Sequence, residues 1–477
     1  MQRACFKLFI FIFIGALAGW GRELDELVLH AVEGNPLVQS QRAVVEQAAA
    51  ARREVLEFWD PSLFASAGYG SQLRGLPLSS AGYAQVGAED SLEGQAGVLM
   101  PVKGGAYLAA GGVTRRWINP PDYRDSLYQH LVGVQLQIPL GRDRGFALLG
   151  YRERAAVAAF RASQDRLLAA VQSVRHSVEQ AYIDACSALN AYQITQGATK
   201  RFERLNTEAR ELADLKTIPE YQYTETVRDL QNGREDEEIA RNAQATALVA
   251  LTAAVGTVEP LEKLESSPEE FLAGAASAVL PDFTWTVDDA MDQRGEPRAL
   301  LDEREQVLAQ YEQMLEEHRD QLSVNVGVNW MDDSRRGPFS ESRDSVSRNW
   351  GFDAAITWSR PLDYTGAEAR AAQFQARLDE LDARLAAQRV AIEAELRTAR
   401  LRLEAARRRL ELVADGVEAA RQTVAAEQER FKMGEGNSHA VLEAQKNLTA
   451  TLLRQNAASA ELLRALSDYD FACGYPE

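Results

Sequence analysis

The stretch from Leu396 to Phe431, LRTARLRLEAARRRLELVADGVEAARQTVAAEQERF, decides the fold class because apolar residues recur in it every seven positions. Two rows make the pattern, and they contain Leu396, Leu403, Leu410, Val417, Val424 and Phe431 in the first and Ala399, Ala406, Val413 and Ala420 in the second. Such rows are typical of a long helix that packs along a seam, where alanine lets the axes approach closely. Similar rows in the first half predict two long helices, residues 145–215 and 366–432, each followed by a break and a return helix. An ordinary dimeric coiled coil has the same rows, but it does not explain the return helices.

Six segments with alternating apolar and polar residues predict β-strands beside these helices. The clearest alternation is VNVGVNW, from Val324 to Trp330. The predicted strands cover residues 62–73, 94–101, 105–116, 127–140, 322–331 and 347–358. Alternation suits a sheet with one face in lipid and one in water, and it suits a half-buried soluble sheet equally well. Four to six strands are too few to close a barrel, so the sheet edges require further copies of the chain.

The order helix, strands, long helix, break and return helix occurs twice, which predicts an internal duplication. The first predicted repeat covers residues 19–256, with strands at about 62–140 and a helical hairpin at 145–256. The second covers residues 285–470, with strands at about 322–362 and a helical hairpin at 366–468. Outside the repeats are a predicted signal peptide at 1–18, a linker at 257–284 and a C-terminal tail at 471–477. Corresponding prolines are 103 residues apart in the first repeat and 64 apart in the second. The first repeat therefore carries about 39 extra residues, which are most simply placed between Arg74 and Arg116.

Composition and charge exclude several classes of protein. The chain has 477 residues and a formal net charge of −18, which argues against a sequence-independent nucleic-acid binder. Arg3 and Lys7, the apolar residues 8–20 and an A-x-A site at 16–18 predict a cleaved export signal that is too short to span a bilayer. Three cysteines in so long a chain argue against a disulfide scaffold.

The sequence contains none of the common catalytic motifs. The chain contains no P-loop, no H-E-x-x-H, no C-x-x-C and no G-x-S-x-G motif. His176 and Glu179 share one helical face, but they are expected to be surface residues rather than metal ligands. The sequence therefore predicts a protein that is not an enzyme, with no catalytic residue, no metal ligand and no cofactor.

Several short motifs, taken in order, resemble the TolC-like outer-membrane efflux protein family. They are Gly34-Asn35-Pro36, Asp60-Pro61-Ser62-Leu63, Ile138-Pro139-Leu140, Arg360-Pro361-Leu362, Arg430-Phe431-Lys432-Met433-Gly434, and Asn437 with Val441-Leu442-Glu443-Ala444-Gln445. The resemblance covers nearly the whole chain after the signal. It implies a mainly α protein with a β-barrel contribution, in which three copies form an α-barrel from coiled-coil-like hairpins and share a twelve-stranded outer-membrane β-barrel.

The same resemblance implies a function. It is that of the outer-membrane channel of a tripartite efflux or type I secretion system, a passive export duct with a periplasmic helical extension. The implied partners are two further copies of the chain, a periplasmic adaptor protein, an inner-membrane pump and outer-membrane lipid, but no nucleic acid. The residues alone leave an alternative open, which is a periplasmic coiled-coil structural protein that conducts nothing.

Site residues follow from the resemblance at the two breaks between long and return helices. The family lines its pore constriction with acidic residues just after the second break, where this chain keeps Glu443 but has Ala440 at the first acidic position. Glu225 and Glu435 are candidates to supplement the constriction. The residues expected to form adaptor-docking tips are Phe431, Met433, Gly434, Ile218 and Pro219.

Overall fold

The computed structural model describes residues 22–75, 86–118, 127–216, 218–259, 261, 263–264, 267–277, 281, 283–334, 345–360, 365–433 and 438–475. Its helices and strands are, in chain order, α1 Arg22–Gly34, α2 Pro36–Leu56, β1 Ser62–Gly75, β2 Val86–Val102, β3 Ala106–Ile118, β4 Leu127–Pro139, α3 Ala147–Asp214, α4 Glu220–Val255, α5 Pro268–Ser277, α6 Val287–Gln293, α7 Gly295–Glu317, β5 Gln321–Ser334, β6 Ser345–Ser359, α8 Thr365–Lys432 and α9 Ser438–Cys473. The six predicted strands and the four predicted long helices are confirmed.

The chain divides into two compact units that do not coincide with the two repeats. The helical unit takes its described residues from 1–46, 161–301 and 383–477, and the sheet unit takes its residues from 47–160 and 302–382. Each unit therefore draws on both halves of the sequence. None of the described helices combines the length and the hydropathy needed to cross a membrane.

The core of the helical unit contains the seam that the sequence predicts. Leu396, Leu403 and Leu410 are buried on α8, and the alanines three residues after the first two are buried with them. They belong to one apolar cluster with residues from α1, α3, α4, α5, α6 and α9, which includes Tyr182 and Leu251. Burial of long apolar rows, rather than helix propensity, supplies most of the stability of helices of this length.

The internal duplication is visible where each return helix ends. Gly256 follows α4 in the left-handed region at φ 82°, and Gly474 follows α9 in the same region at φ 85°. Each glycine packs against a break between two helices: Gly256 contacts Asn35 between α1 and α2, and Gly474 contacts Gln293 and Arg294 between α6 and α7. The contact of Gly256 lies within the motif Gly34-Asn35-Pro36, and that of Gly474 lies directly before a second Gly-x-Pro sequence, Gly295-Glu296-Pro297. In both repeats a left-handed glycine thus ends the return helix beside such a motif.

Asn35 shows why the first of these motifs has its sequence. Its side-chain oxygen accepts a hydrogen bond from the Leu37 amide at 2.9 Å, which caps α2. Its side-chain nitrogen donates to the Ala254 carbonyl at 3.2 Å, near the end of α4. One asparagine therefore serves unsatisfied backbone groups at the ends of two helices.

The sheet unit contains one antiparallel sheet in which strands adjacent in sequence are adjacent in space, in the order β1-β2-β3-β4-β5-β6. The two repeats meet within this sheet, because β4 of the first repeat pairs with β5 of the second from Tyr128–Ser334 to Pro139–Ser323. Strands β1 and β6 are its two edges.

The strand number corrects one expectation. A twelve-stranded barrel shared by three copies requires four strands from each, but the described residues of one chain form six. The reason is the hairpin β2–β3, which falls where the extra residues of the first repeat were expected.

Two boundaries also differ from the expected ones. Helix α9 continues to Cys473, and Gly474 and Tyr475 are buried beyond it, so part of the segment expected to be a tail is packed structure. The expected linker contains the ten-residue helix α5, whose Leu272 and Ala275 join the apolar core of the helical unit.

Candidate functional site

The sheet has one continuous apolar face. A single cross-strand row shows this, because it runs through Leu63, Val98, Ala110, Val134, Val328 and Phe352, one residue from each strand. Leu63 is 81% exposed and Phe352 is 71% exposed. Along β6 the exposed apolar residues recur at every second position, with Ile356 and Trp358 following Phe352. An exposed apolar area of this width marks a surface that is covered by something other than water.

The opposite face carries mainly glycine and polar side chains, and these contact one another. Arg115 on β3 donates from Nε to Glu93 on β2 at 3.0 Å. Gln95 donates to the Ser66 hydroxyl at 2.8 Å. Two further polar pairs lie on this face, and one of them joins Asn329 of β5 to Asp353 of β6 at 3.2 Å. This face is therefore suited to contact with water.

The second candidate site lies at the two helix breaks, within the helical unit. A small apolar cluster joins them: Leu205 of α3 is buried with Val441 and Leu442 of α9, and Phe431 packs against these residues. The cluster fixes the start of α9 against the end of α3. The residues next to Val441 and Leu442 on α9 are therefore held in defined positions.

Charged side chains from α4 and α9 meet beside this cluster. Lys446 Nζ of α9 lies 3.1 Å from Asp229 Oδ2 of α4 and 3.5 Å from Glu443 Oε1. His439 Nδ1 lies 3.8 Å from Glu225 Oε2. Asp229 is buried, with its side chain only 2% exposed, whereas Glu443 is 57% exposed. These five residues are called the tip charge cluster below.

The expected site residues lie in different environments in the structure. Glu225 and Glu443 both belong to the tip charge cluster, and Phe431 belongs to the adjacent apolar cluster. Met433 is 65% exposed at the end of α8. Ile218 is half-buried, and Pro219 precedes α4 with an extended backbone. Gly434 and Glu435 lie outside the described residues.

Sequence reasoning missed Asp229 and Lys446, which make the closest contact in the tip charge cluster. A signal was available, because Asp229 follows Glu225 by four residues and Lys446 follows Glu443 by three. Residues at these spacings share one face of a helix, so each expected acid had a charged neighbour on its own face. The pattern does not say that the two faces meet.

A third group of polar residues is buried in the helical unit around Glu179, which corrects the expectation that Glu179 lies at the surface. Its carboxylate accepts hydrogen bonds from Arg175 Nε at 2.8 Å, from the Ser467 hydroxyl at 2.8 Å and from the Tyr475 hydroxyl at 3.0 Å. The Arg175 guanidinium also lies over the Tyr475 ring, 4.1 Å from its centre. The pairing explains the burial, because a buried charge needs compensating partners.

Two further carboxyl groups lie close to Glu179. Burial and the charge of Glu179 raise the pKa of Asp470 to about 7, against an opposing effect of Arg175. Burial also raises the pKa of Asp25 on α1. Helices α1, α3 and α9 thus each bring one carboxyl group to the place where the C-terminal Tyr475 docks, and these three groups are called the carboxyl cluster below.

No group of three or more potential metal-binding side chains occurs among the residues that the structure describes. The candidate sites described above are surfaces and charge clusters. Their geometry is suited to lining a path or to binding another macromolecule.

Comparison with known proteins gives a family match for the second half of the chain. Residues 291–474 match the model of the outer membrane efflux protein family. No curated protein matches the chain at a significant level of similarity.

Solved structures match the chain over nearly its whole length. A membrane protein from Pseudomonas aeruginosa has 18% identity and a TM-score of 0.67, over 96% of this chain and 91% of that chain. The Neisseria gonorrhoeae MtrE outer membrane channel has 16% identity and a TM-score of 0.66, over 95% of this chain and 89% of that chain. The Campylobacter jejuni CmeC outer membrane channel has 15% identity and a TM-score of 0.65, over 95% and 86%. Residues 291–474 thus match the outer membrane efflux protein family, and the fold of the chain is that of the TolC-like outer-membrane channels among these solved structures.

Proposed function

We propose that the protein is the outer-membrane channel of a tripartite efflux or type I secretion system, which exports solutes passively rather than by catalysis. The observation that carries the proposal is the two-faced sheet, in which every strand contributes to one exposed apolar face and to one polar face. Lipid covers the apolar face in this proposal, and the polar face lines a water-filled path. The family match of residues 291–474 supports the same function.

The connections between strands support an orientation in the outer membrane. The ends of β1, β3 and β5 lie at the same end of the sheet as the starts of β2, β4 and β6, and each of these three pairs is separated by eight to ten residues of sequence. The turn between β2 and β3 is only three residues long and lies at the other end, where the helices attach. Outer-membrane strands have longer connections outside the cell and short turns on the periplasmic side. The helices are thus periplasmic in this proposal.

The channel is a homotrimer in this proposal, because one sheet has two unpaired edges that lipid cannot satisfy. Strands β1 and β6 each offer backbone groups that need partners. Closure with further copies of the chain supplies them. The helical hairpins of three copies then form the periplasmic α-barrel.

The tip charge cluster is the gate in this proposal. Glu443, Glu225 and Glu435 line the constriction, and they make it selective for cations. Lys446 holds α9 to α4 through the buried Asp229, so opening of the tip requires separation of this ion pair. Lys446 is 38% exposed, and Arg228 also lies 3.2 Å from the Asp229 carboxylate, so this pair contributes about 1 kcal/mol to the closed tip in this proposal.

The remaining expected residues form the surface for that other protein. Phe431, Met433, Gly434, Ile218 and Pro219 lie at or beside the helix breaks. Met433 presents an exposed flexible apolar side chain, which suits a docking surface. A periplasmic adaptor protein binds there in this proposal and links the channel to an inner-membrane pump.

The alternative is a periplasmic coiled-coil structural protein that conducts nothing, and the long buried seam of α8 favours it as much as it favours a channel. The exposed apolar face of the sheet argues against it, since a soluble protein does not leave such a face uncovered.

Two measurements on one preparation separate the two functions. The protein is expressed with its native leader, recovered from the outer-membrane fraction and added to planar lipid bilayers. A channel gives discrete conductance steps in this assay. In a separate experiment on cells, deletion of the gene increases sensitivity to exported compounds. A protein that is recovered soluble from the periplasm and gives no conductance steps is the structural protein instead.

A further inference from the structure

The hairpin β2–β3 is a feature that the internal duplication does not explain. The second repeat contributes the two strands β5 and β6 between helices α7 and α8. The equivalent strands of the first repeat are β1 and β4, which follow α2 and precede α3. Strands β2 and β3 are therefore an insertion between equivalent strands.

The inserted hairpin is an integral part of the sheet. Strand β2 pairs with β1 from Ser62–Leu99 to Gly75–Val86, and β3 pairs with β4 from Tyr107–Gln137 to Trp117–Leu127. The alternation of faces continues through the hairpin. Val98 and Ala110 lie in the apolar row, and Arg115 and Glu93 form an ion pair on the polar face.

Side chains at the border of the hairpin also bind it to its neighbours. Gln95 of β2 donates to Ser66 of β1 on the polar face. The Phe64 ring of β1 covers Gly97 of β2 so closely that a Cβ atom at Gly97 would lie 2.7 Å from the ring. An aromatic side chain placed over a strand glycine secures that pairing.

The hairpin widens the sheet without adding helices. Each chain has four connections between a strand and a helix, at the start of β1, the end of β4, the start of β5 and the end of β6. The ends of β2 and β3 on that side are joined by a three-residue turn. Two strands at a spacing of about 4.8 Å add about 10 Å to the width of each sheet.

We propose that three copies of this chain close an eighteen-stranded barrel. The proposal rests on the proposed function, because it takes the trimer and the membrane location from it. Strand β6 of one copy pairs with β1 of the next. Six is an even number, so the antiparallel alternation continues without interruption around the ring.

The geometry gives the expected size and the class of solute. At a strand tilt of about 40°, eighteen strands give a diameter of about 36 Å between opposite strands, and twelve give about 24 Å. The wider barrel leaves an aqueous lumen, as large porins do. The outer-membrane part of this channel therefore admits bulky hydrated solutes, including polymers that a twelve-stranded barrel excludes.

The first experiment counts the copies that share the barrel. Gly68 of β1 and Ala355 of β6 lie on the polar face of the two edge strands, and a side chain at Gly68 meets no other atom within 4 Å. The variant Gly68→Cys with Ala355→Cys is treated in membranes with a flexible bis-maleimide and run on a denaturing gel. The two single-cysteine variants are the controls.

We expect a ladder that ends at three chains in the double variant and no ladder in either control. A ladder that ends at two chains corresponds to twelve strands and overturns the proposal. A product linked only within one chain overturns it as well.

The second experiment measures the width of the lumen. Polyethylene glycols of increasing size are added to the barrel side of a planar bilayer, and the reduction in conductance reports which of them enter. A variant that lacks residues 82–121, and so joins β1 to β4, is the matched control. We expect the largest polymer that enters the full-length protein to have a radius about 6 Å larger than that for the deletion variant, which is half the difference between the two barrel diameters.

Equal cut-offs in the two proteins overturn the proposal, because the hairpin then lies outside the barrel wall. A three-chain ladder without any conductance step overturns the proposed function but leaves the shared barrel standing. The two failures are thus distinguishable.

Discussion

Asp470 provides the sharpest test of the carboxyl cluster, through the variant Asp470→Asn. Burial and the neighbouring Glu179 raise the pKa of Asp470 to about 7, from an ordinary value of 3.8. The folded state therefore binds a proton more tightly than the unfolded state does. The cost of ionising this buried group is absent below about pH 3.8, grows as the pH rises, and is complete above about pH 7.

The magnitude follows from the size of the shift. A shift of about three units at about 1.4 kcal/mol each gives about 4 kcal/mol of lost stability at pH 8. At pH 5 only about 2 kcal/mol of that cost is present. Asparagine cannot ionise, so the variant avoids the cost at both values of pH.

Thermal unfolding of the detergent-solubilised protein, followed by circular dichroism, is a suitable assay. For 477 residues the entropy of unfolding is roughly 1 kcal/mol per kelvin, so we expect the variant to unfold about 4 °C higher at pH 8 and about 2 °C higher at pH 5. Asp415→Asn, at an exposed position of α8, is the matched control and should shift neither midpoint. A variant that unfolds at the same temperature as the parent at pH 8, or that is raised equally at both values of pH, refutes the reasoning.

Three further predictions concern single residues. Lys446→Met removes the contact from α9 to the Asp229 carboxylate and leaves it only Arg228 of its own helix, so we expect a modest increase in the leakage of large antibiotics into cells, with Lys446→Arg close to the parent. Equal leakage in all three proteins would show that this ion pair does not hold the tip closed. The Gln172 side chain donates hydrogen bonds to the Gln293 carbonyl at 3.1 Å and the Gly474 carbonyl at 2.9 Å, and it accepts one from the Gly295 amide at 3.2 Å. Gln172→Leu removes all three and should lower the unfolding midpoint by at least about 2 °C, because each buried unsatisfied group costs about 1–3 kcal/mol. An unchanged midpoint contradicts this prediction. Cys186 and Cys473 should react with thiol reagents only after unfolding, since burial raises the pKa of both to about 12; rapid labelling of the folded protein would contradict their burial.

The elements of the fold could be predicted because their patterns are local. The seven-residue rows of α8 and the alternation of β5 are set by the side of an element that is buried, and both are visible in one stretch of sequence. The duplication and the place of the extra residues also follow from spacing alone. The resemblance implies four strands from each chain, whereas the described residues form six, because the insertion β2–β3 is a property of this chain.

The contacts between helices could not be predicted in the same way. Asp229 and Lys446 lie 217 positions apart, and nothing in either helix says that the other faces it. Glu179 has the spacing of an exposed i, i+4 pair with Arg175, yet its other partners are Ser467 and Tyr475 at the far end of the chain. Such buried polar contacts depend on how the helices pack together, and the spacing of residues within one helix does not predict this packing.

The orientation of the sheet is the central claim, and cysteine labelling at two adjacent positions of β6 tests it most directly. Ile356 lies on the apolar face and Thr357 on the polar face, and both are exposed in a single chain. Ile356→Cys and Thr357→Cys are reconstituted in lipid vesicles and treated with a charged, water-soluble maleimide or with an apolar, lipid-soluble one. We expect Cys at 357 to react with the charged reagent and Cys at 356 to react only with the apolar one. Equal labelling of both positions by the charged reagent would contradict a sheet that separates lipid from water.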